Sequence, residues 1–75
     1  MTSEKIIGYV AEQFGVDKDS LSRETNFVDD LNADSLDVVE LSMTIEDEFG
    51  IGEISEDDLK NIKTIGDLVD YVEHA

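Results

Sequence analysis

Apolar residues recur at three- and four-residue steps in four stretches of the chain, which is the spacing of amphipathic helices. The first stretch can begin at Ser3, a good N-cap residue. It can end at Gly15, because glycine readily adopts the left-handed backbone that closes many helices. The apolar positions between these two ends are Ile7, Val10, Ala11 and Phe14.

The second stretch predicts a helix over about Leu36 to Phe49. Asp34 stands at its cap, Asp37 in the reciprocal position of a capping box, and Gly50 at its end. At about 100° per residue, its apolar side chains fall on two separate arcs. The arc that we assign to the core holds Val38, Leu41, Ser42, Ile45 and Phe49. The other is a narrow stripe, expected on the surface beside carboxylates, of Leu36, Val39 and Met43.

Two shorter helices are predicted near the end of the chain. Ser55 is a good cap for a short third helix that carries Leu59 and Ile62. Thr64 and Asp67 form a capping pair for a last helix. The apolar stripe of that helix is Ile65, Leu68, Val69 and Val72. Because the sequence has no strand-like alternation and no proline, we expect an all-α bundle of four helices.

Residues 16–33, between the first two helices, form a long segment for a loop inside a compact domain. It carries scattered apolar positions, which are Val16, Leu21, Phe27 and Leu31. These can anchor the segment to the core, so we predict a packed, functional loop rather than a flexible linker.

Composition narrows the classes of function. Residues 1–75 suffice for a single domain, which at this size buries only about 60 to 65% of its unfolded surface. The chain has no cysteine, so any thiol chemistry must come from outside its own side chains. No nucleophile and base stand together, and the one histidine, His74, lies at the end of the sequence. We therefore expect a protein that is not an enzyme.

Charge limits the partners. Twenty acidic residues against five basic ones give a net charge of −15, which repels nucleic acid and anionic membrane surfaces and favours basic proteins. Between Arg23 and Lys60 there are thirteen acids and no basic residue, on a stretch that also carries regular apolar positions. No apolar run reaches the ~20 residues of a bilayer span, and the first residues do not resemble a signal peptide. We expect a monomer that does not insert into membranes and is cytoplasmic, or organellar if a presequence has been removed.

Ser35 lies directly after the predicted cap of the second helix, where unpaired N–H groups and the helix dipole favour a phosphate ester. A serine at a helix start is more often a simple cap. The segment Asp30–Asp37, which reads Asp-Leu-Asn-Ala-Asp-Ser-Leu-Asp, is followed by Val39-Glu40-Leu41 and resembles the attachment motif of the acyl carrier proteins. Its setting adds specificity, because the resemblance covers essentially the whole chain, including Phe27–Leu31, Glu46–Gly50, Glu53-Ile54 and Thr64–Tyr71.

The resemblance implies a four-helix acyl-carrier-type bundle, with a long loop between helices 1 and 2 and a short third helix. It also implies that Ser35 carries 4′-phosphopantetheine from coenzyme A. The thiol of this group would carry growing acyl chains as thioesters between enzymes of fatty acid biosynthesis. A polyketide pathway is the alternative. In the implied loading step, the Ser35 hydroxyl attacks the pyrophosphate of coenzyme A, while a separate pantetheinyl transferase supplies the base and the metal ion.

Two groups of residues are expected to serve the carrier. Basic surfaces of the transferase and the synthesis enzymes would meet a recognition surface on the second helix, with weak, transient binding because exposed ion pairs contribute only ~0 to 1 kcal/mol each. Its residues are Asp34, Leu36, Asp37, Val39, Glu40, Met43, Glu46 and Asp47. Between visits the acyl chain would lie in a pocket lined by Phe27, Val38, Leu41, Ile45, Phe49, Leu59, Ile62 and Leu68.

The chain departs from the family pattern at three places. Asn32 stands where glycine is more frequent, Ser55 stands where proline is common, and Gly50–Glu53 is one residue longer than the usual connection. Asparagine tolerates the left-handed backbone and serine caps helices well, so we expect the fold to be retained. The longer connection bears on the position of the third helix, and hence on the entrance to any acyl pocket.

Two other classes of function compete with the carrier. Asp30, Asn32 and Asp34 match the opening ligands of an EF-hand loop, but Ser35 stands in place of its glycine and Leu41 in place of its bidentate glutamate. We therefore predict no specific metal site, although loose binding of divalent ions by the carboxylates stays open. The second competitor is an acidic adaptor that has the same fold and is never modified.

Overall fold

The computed structural model describes residues 2–75. All the regular secondary-structure elements in this range are helices. The helices are α1 (Thr2–Phe14), α2 (Ser35–Phe49), α3 (Glu56–Asn61) and α4 (Ile65–Glu73), with a short 3-10 helix at Lys18–Ser20. Within residues 2–75 the only extended pairing is an isolated bridge between Asn26 and Thr64. None of the described helices is both long enough and apolar enough to cross a bilayer. The predicted all-α bundle, with a long first loop and a short third helix, is confirmed.

Local side-chain chemistry fixes where three of the helices begin. Asp34 caps α2 by accepting a hydrogen bond from the Asp37 N–H at 2.9 Å, and Asp37 accepts one from the Asp34 N–H at 3.2 Å. Thr64 and Asp67 make the same reciprocal pair at the start of α4. Ser55 caps α3 through its hydroxyl. The predictions of Asp34, Ser55 and Thr64 as caps are confirmed.

The predicted cap of α1 is wrong. The helix already includes Thr2, so Ser3 lies in its first turn and is not the cap. Its most deeply buried positions are Ile6 and Val10, both 0% exposed, whereas Ile7 is only half-buried. Because α1 packs against both α2 and α4, the centre of its apolar face differs from the stripe that periodicity suggested. Gly15 ends the helix with φ 64°, as expected.

The core forms where α1, α2 and α4 meet. From α2 the buried side chains are Leu41, Ser42 and Ile45, while Val38 and Phe49 pack at the edge of the core. The hydroxyl of Ser42 donates a hydrogen bond to the Val39 carbonyl at 2.7 Å, so its burial leaves no polar group unpaired. The predicted stripe of α4 is buried in full, as Ile65, Leu68, Val69 and Val72.

The loop of residues 16–33 is packed against the bundle, as predicted. Phe27 is 2% exposed, and Leu21 and Leu31 are half-buried against the core. Val16 is exposed, so its assignment as an anchor is wrong; it follows the left-handed turn at Gly15, outside the packed part of the loop.

Backbone hydrogen bonds join the same loop to the start of α4. The Phe27 N–H donates to the Lys63 carbonyl at 3.0 Å, and the Gly66 N–H donates to the Arg23 carbonyl at 2.9 Å. The Arg23 guanidinium also forms an ion pair with Asp70 at 2.8 Å. These contacts fix the path of the chain as it approaches α2.

Candidate functional site

Ser35 is the first residue of α2, and it is exposed. In residues 2–75 the hydrogen bonds that cap this helix are made by Asp34 and Asp37, and none is made by the Ser35 hydroxyl. The simpler interpretation of Ser35 as a cap therefore fails, because Asp34 has that role. Ser35 is thus an exposed residue at the start of α2 that has no part in its cap.

The turn that leads into α2 is held by its own hydrogen bonds. Asn26 Oδ1 accepts from the Val28 N–H at 2.9 Å, and Asp30 Oδ2 accepts from the Asn26 N–H at 2.7 Å. The Ala33 N–H donates to the Phe27 carbonyl at 2.8 Å, and Ala33 is buried. The position of Ser35 is thus set by a compact turn rather than by a free loop.

Asn32 turns the chain from this loop into α2. Its φ of 54° is the only positive value at a non-glycine residue among residues 2–75. Asparagine adopts this left-handed conformation more readily than most residues do. The backbone at Asn32 thus takes a left-handed form that glycine would also adopt without strain.

A groove of about 500 Å³ opens beside Ser35, between the loop, α2 and α3. Its apolar side chains include Val28, Val38 and Leu59, and Lys60 lies on its α3 side. A second cavity of about 390 Å³ shares these four residues and continues to Phe27, Ile62 and Lys63. The two cavities therefore form one trough, which starts at Ser35 and runs between α2 and α3.

Hydrogen bonds from side chains hold α3 in place, and α3 forms one wall of the trough. Glu46 Oε2 accepts a hydrogen bond from the Ile54 N–H at 2.8 Å, across the connection that contains Gly50–Glu53. The Tyr71 hydroxyl donates to Asp58 Oδ2 at 3.2 Å and so links α4 to α3. Desolvation and this bond to Asp58 raise the pKa of Tyr71. The longer connection therefore ends in an anchored helix.

The structure separates the eight residues predicted to line an acyl pocket into two groups. Those that line the trough are Phe27, Val38, Leu59 and Ile62. Leu41, Ile45 and Leu68 lie in the packed core, and Phe49 lies at the other end of α2, where its ring meets the ring of Tyr9 edge-on at 6.2 Å.

Sequence reasoning missed four residues that line the groove beside Ser35. These are Val28, Ala33, Glu56 and Lys60. The first two belong to a turn, where helical periodicity carries no information about which side chains face a helix. Lys60 was noted only as the end of a long stretch without basic residues, and that isolation was the one available signal.

The surface of α2 carries apolar groups in the open. Leu36 is 64% exposed, Val39 42% and Met43 60%, as the second arc predicted. Of the neighbouring carboxylates, the exposed ones are Asp34, Glu40 and Asp47, while Asp37 and Glu46 are half-buried. The amide of Gln13 on α1 donates to Glu40 at 3.2 Å. All eight residues of the predicted recognition surface therefore lie on α2 or at its cap, and six of them are exposed.

An EF-hand does not fit this geometry. The segment Asp30–Leu41 would be its binding loop, but α2 begins at Ser35, in the middle of that segment. Leu41 is 3% exposed in the core, and the carboxylates of Asp30 and Asp34 each accept a backbone N–H. Within residues 2–75 no three His, Cys, Asp or Glu side chains come together as metal ligands.

Comparison with known proteins agrees with the resemblance noted in the sequence. The family described as "Phosphopantetheine attachment site" matches residues 4–72. An acyl carrier protein of Lactobacillus acidophilus is 52% identical over 68 residues, which cover 91% of this chain and 84% of the relative. A solved structure of a Mycobacterium tuberculosis protein assigned as an acyl carrier protein superposes with a TM-score of 0.90 at 35% identity, covering 99% of this chain and 97% of that one. The chain belongs to the acyl carrier protein family, whose domain is the attachment site of phosphopantetheine.

Proposed function

We propose that Ser35 is the residue that carries 4′-phosphopantetheine, and that the protein shuttles growing acyl chains between enzymes of fatty acid biosynthesis. The observation that carries the proposal is an exposed serine hydroxyl, free of the helix cap, at the mouth of a largely apolar trough. We propose further that all 75 residues act as one carrier domain.

The residues around Ser35 suit the group. The hydroxyl is accessible, and the side chains beside it offer an apolar wall, with Val38 on α2 and Leu59 on α3. When attached, the group supplies a terminal thiol that holds acyl chains as thioesters, which a chain without cysteine lacks. Phe27 and Ile62, farther along the trough, extend the apolar lining.

For Ser35 to react with coenzyme A, a base must take the proton of its hydroxyl. The one histidine, His74, caps the end of α4, where its Nδ1–H donates to the Asp70 carbonyl at 2.6 Å. His74 therefore makes its hydrogen bond at the end of α4 and not at Ser35. A separate pantetheinyl transferase would supply the base that takes the serine proton and the metal ion that stabilises the transferring phosphoryl group.

Partner recognition would use charge for approach and apolar contact for fit. A net charge of −15 attracts basic surfaces on the transferase and the synthesis enzymes, and speeds encounter. Leu36, Val39 and Met43 would then meet apolar groups of the partner. We propose that the carrier is a cytoplasmic monomer that meets each enzyme transiently, and that it neither binds nucleic acid nor inserts into membranes.

The loading experiment tests this proposal directly. The protein would be incubated with coenzyme A and a pantetheinyl transferase, and its intact mass would be measured. We expect a gain of one phosphopantetheine group, which Ser35→Ala abolishes. Ser55→Ala is the matched control, because Ser55 also lies at a helix start but uses its hydroxyl as the cap of α3. Loading that persists in Ser35→Ala would refute the assignment, and no loading at all would favour the unmodified adaptor.

The pathway needs a second experiment. The carrier would be isolated from its own cells, and the acyl groups on its thiol identified by mass spectrometry. Saturated chains together with their 3-hydroxy and 2-enoyl intermediates support fatty acid biosynthesis. Chains that keep keto groups along their length support a polyketide pathway instead.

A further inference from the structure

We propose that Lys60 pairs with the phosphodiester on Ser35 and so holds the arm against the groove between visits to enzymes. The inference rests on the proposed attachment at Ser35. It assigns a specific counter-ion, on this chain, to the group that the serine carries.

Lys60 and Ser35 lie at the same groove. Lys60 is exposed in the last turn of α3, and it lines the same groove as Ser35. The groove lies between the start of α2 and α3, so Lys60, whose ammonium group is on a flexible stem, and Ser35 border one space. An anion attached to Ser35 would therefore lie at the border of the groove that Lys60 also lines.

Positive charge is scarce in this protein. The chain has five basic residues. Lys5 lies on α1, Lys18 in the 3-10 helix, and Arg23 is paired with Asp70. Lys63 lines the far part of the trough but not the groove at Ser35. Among residues 2–75, Lys60 is thus the one cation that borders the attachment site.

Lys60 is also available for an anion. In the described part of the chain the only ion pair in contact is Arg23 with Asp70. Two carboxylates share the groove with Lys60: Asp34, which accepts the Asp37 N–H, and Glu56, one turn earlier on α3. Neither forms an ion pair with Lys60 in this structure, although Glu56 is the residue that would compete with the phosphodiester.

The strength of such a pair suits a shuttle. Loading adds a negative charge to a protein of charge −15, and Lys60 offsets that charge locally. An exposed pair of this kind shifts an equilibrium by up to about fivefold. The arm would therefore rest in the groove for much of the time, and a basic partner could still withdraw it.

The test measures the phosphodiester itself by ³¹P NMR. The full-length protein, Lys60→Met, Lys60→Arg and Lys63→Met would each be loaded from coenzyme A. Intact mass and the loss of loading in Ser35→Ala would establish attachment first. Failure at that stage refutes the attachment proposal, whereas the line width that follows tests Lys60 alone. Lys63→Met is the matched control, since it removes the same charge from the neighbouring part of the trough.

We expect the ³¹P line of Lys60→Met to narrow and shift relative to the unsubstituted protein, because the phosphodiester moves more freely. Lys60→Arg should keep the original line, and Lys63→Met should change it little. About 1 M salt, where the Debye length is about 3 Å, should make the unsubstituted protein resemble Lys60→Met. If Lys60→Met lost helix content by circular dichroism, Lys60→Gln would take its place. Equal lines for the Lys60 and Lys63 variants would overturn the inference.

Discussion

The Glu46 carboxylate accepts a hydrogen bond from the backbone N–H of Ile54 at 2.8 Å, across the connection between α2 and α3. Ile54 is 4% exposed, so this N–H has little access to water. Glu46 was predicted only as a recognition residue, yet in the fold it also ties down the segment that leads to α3. The wall of the trough beside Ser35 therefore depends on a side chain of α2.

Replacing Glu46 by alanine should lower the free energy of unfolding by about 1 to 3 kcal/mol, because it leaves a buried N–H without its acceptor. Asp47→Ala is the matched control: it removes the same charge from an exposed neighbour, and we expect a change within about 0.5 kcal/mol. Urea denaturation followed by circular dichroism measures both. Equal stability of the two variants would mean that the Ile54 bond contributes nothing.

The features that the sequence could predict are those that depend on neighbouring residues in the chain. The caps at Asp34, Ser55 and Thr64 follow from side chains within three residues of each helix start, so local chemistry was enough to find them. The two arcs of α2 follow from helix geometry once its length is known. Ser35 could be identified because its signal is also local, a serine directly after a cap inside a specific motif.

The residues that sequence reasoning missed depend on tertiary contacts. Lys60 borders Ser35 only because α3 packs beside the start of α2, and Val28 faces the groove because of a turn held by Asn26 and Asp30. Periodicity along one helix cannot tell which buried positions meet a cavity. For that reason Leu41 and Leu59 were predicted alike, although only Leu59 lines the trough.

Reversing the charge of Glu40 or Asp47 should slow encounter with basic partners. We expect Glu40→Lys and Asp47→Lys to lower the loading rate by a pantetheinyl transferase roughly two- to tenfold at low salt, with the difference shrinking as salt rises. Both residues are exposed on α2, so helix content by circular dichroism should stay the same. Glu73→Lys, with the same charge change in the last turn of α4, is the control. An equal effect of Glu73→Lys would indicate that net charge, and not this surface, governs recognition.

Salt should stabilise the protein. With a net charge of −15 and a single ion pair among residues 2–75, repulsion between carboxylates opposes the folded state. We expect the melting temperature to rise as NaCl increases to about 0.5 M, and to rise further with Mg²⁺, because ions screen this repulsion. A variant with Glu24→Gln, Glu53→Gln and Asp57→Asn should respond less, since it starts with less negative charge. A melting temperature independent of salt in the original protein would contradict the argument.

Asp67 should make part of the stability depend on pH. The hydrogen bond from the Lys63 N–H lowers the pKa of Asp67 against a smaller opposing effect of desolvation, and the bond from the Thr64 N–H lowers it further. A lowered pKa in the folded state means that ionised Asp67 stabilises the fold fully above its ordinary value of about 3.9. That contribution is lost as pH falls through the lowered value.

Urea denaturation of Asp67→Asn and the original protein between pH 7 and pH 3 measures this contribution. We expect the difference in unfolding free energy to be constant at neutral pH and to shrink below about pH 4. Asp57→Asn removes the same charge from the exposed first turn of α3, and should give a smaller difference at pH 7. A difference for Asp67→Asn that grew on acidification would have the wrong sign for a lowered pKa.

Two glycines in helices should respond in opposite ways to alanine. A Cβ at Gly66 would lie 3.0 Å from the Arg23 carbonyl oxygen and 3.2 Å from Arg23 Cβ, whereas a Cβ at Gly8 has no atom within 4 Å. The Arg23 backbone cannot easily move away, because its carbonyl accepts the Gly66 N–H at 2.9 Å. Overpacking of this kind costs about 1 to 3 kcal/mol, while alanine in an open helix position gains about 0.5 to 1 kcal/mol over glycine.

Thermal unfolding of Gly8→Ala and Gly66→Ala measures both effects under the same conditions. In a domain of this size about 1 kcal/mol corresponds to roughly 4 to 8 °C in melting temperature. We therefore expect Gly8→Ala to melt a few degrees higher than the original protein and Gly66→Ala to melt lower. Because Arg23 belongs to the loop that leads to α2, loss of this contact should also free the loop, with faster amide hydrogen exchange at Phe27. A higher melting temperature for both variants would mean that the loop yields at little cost.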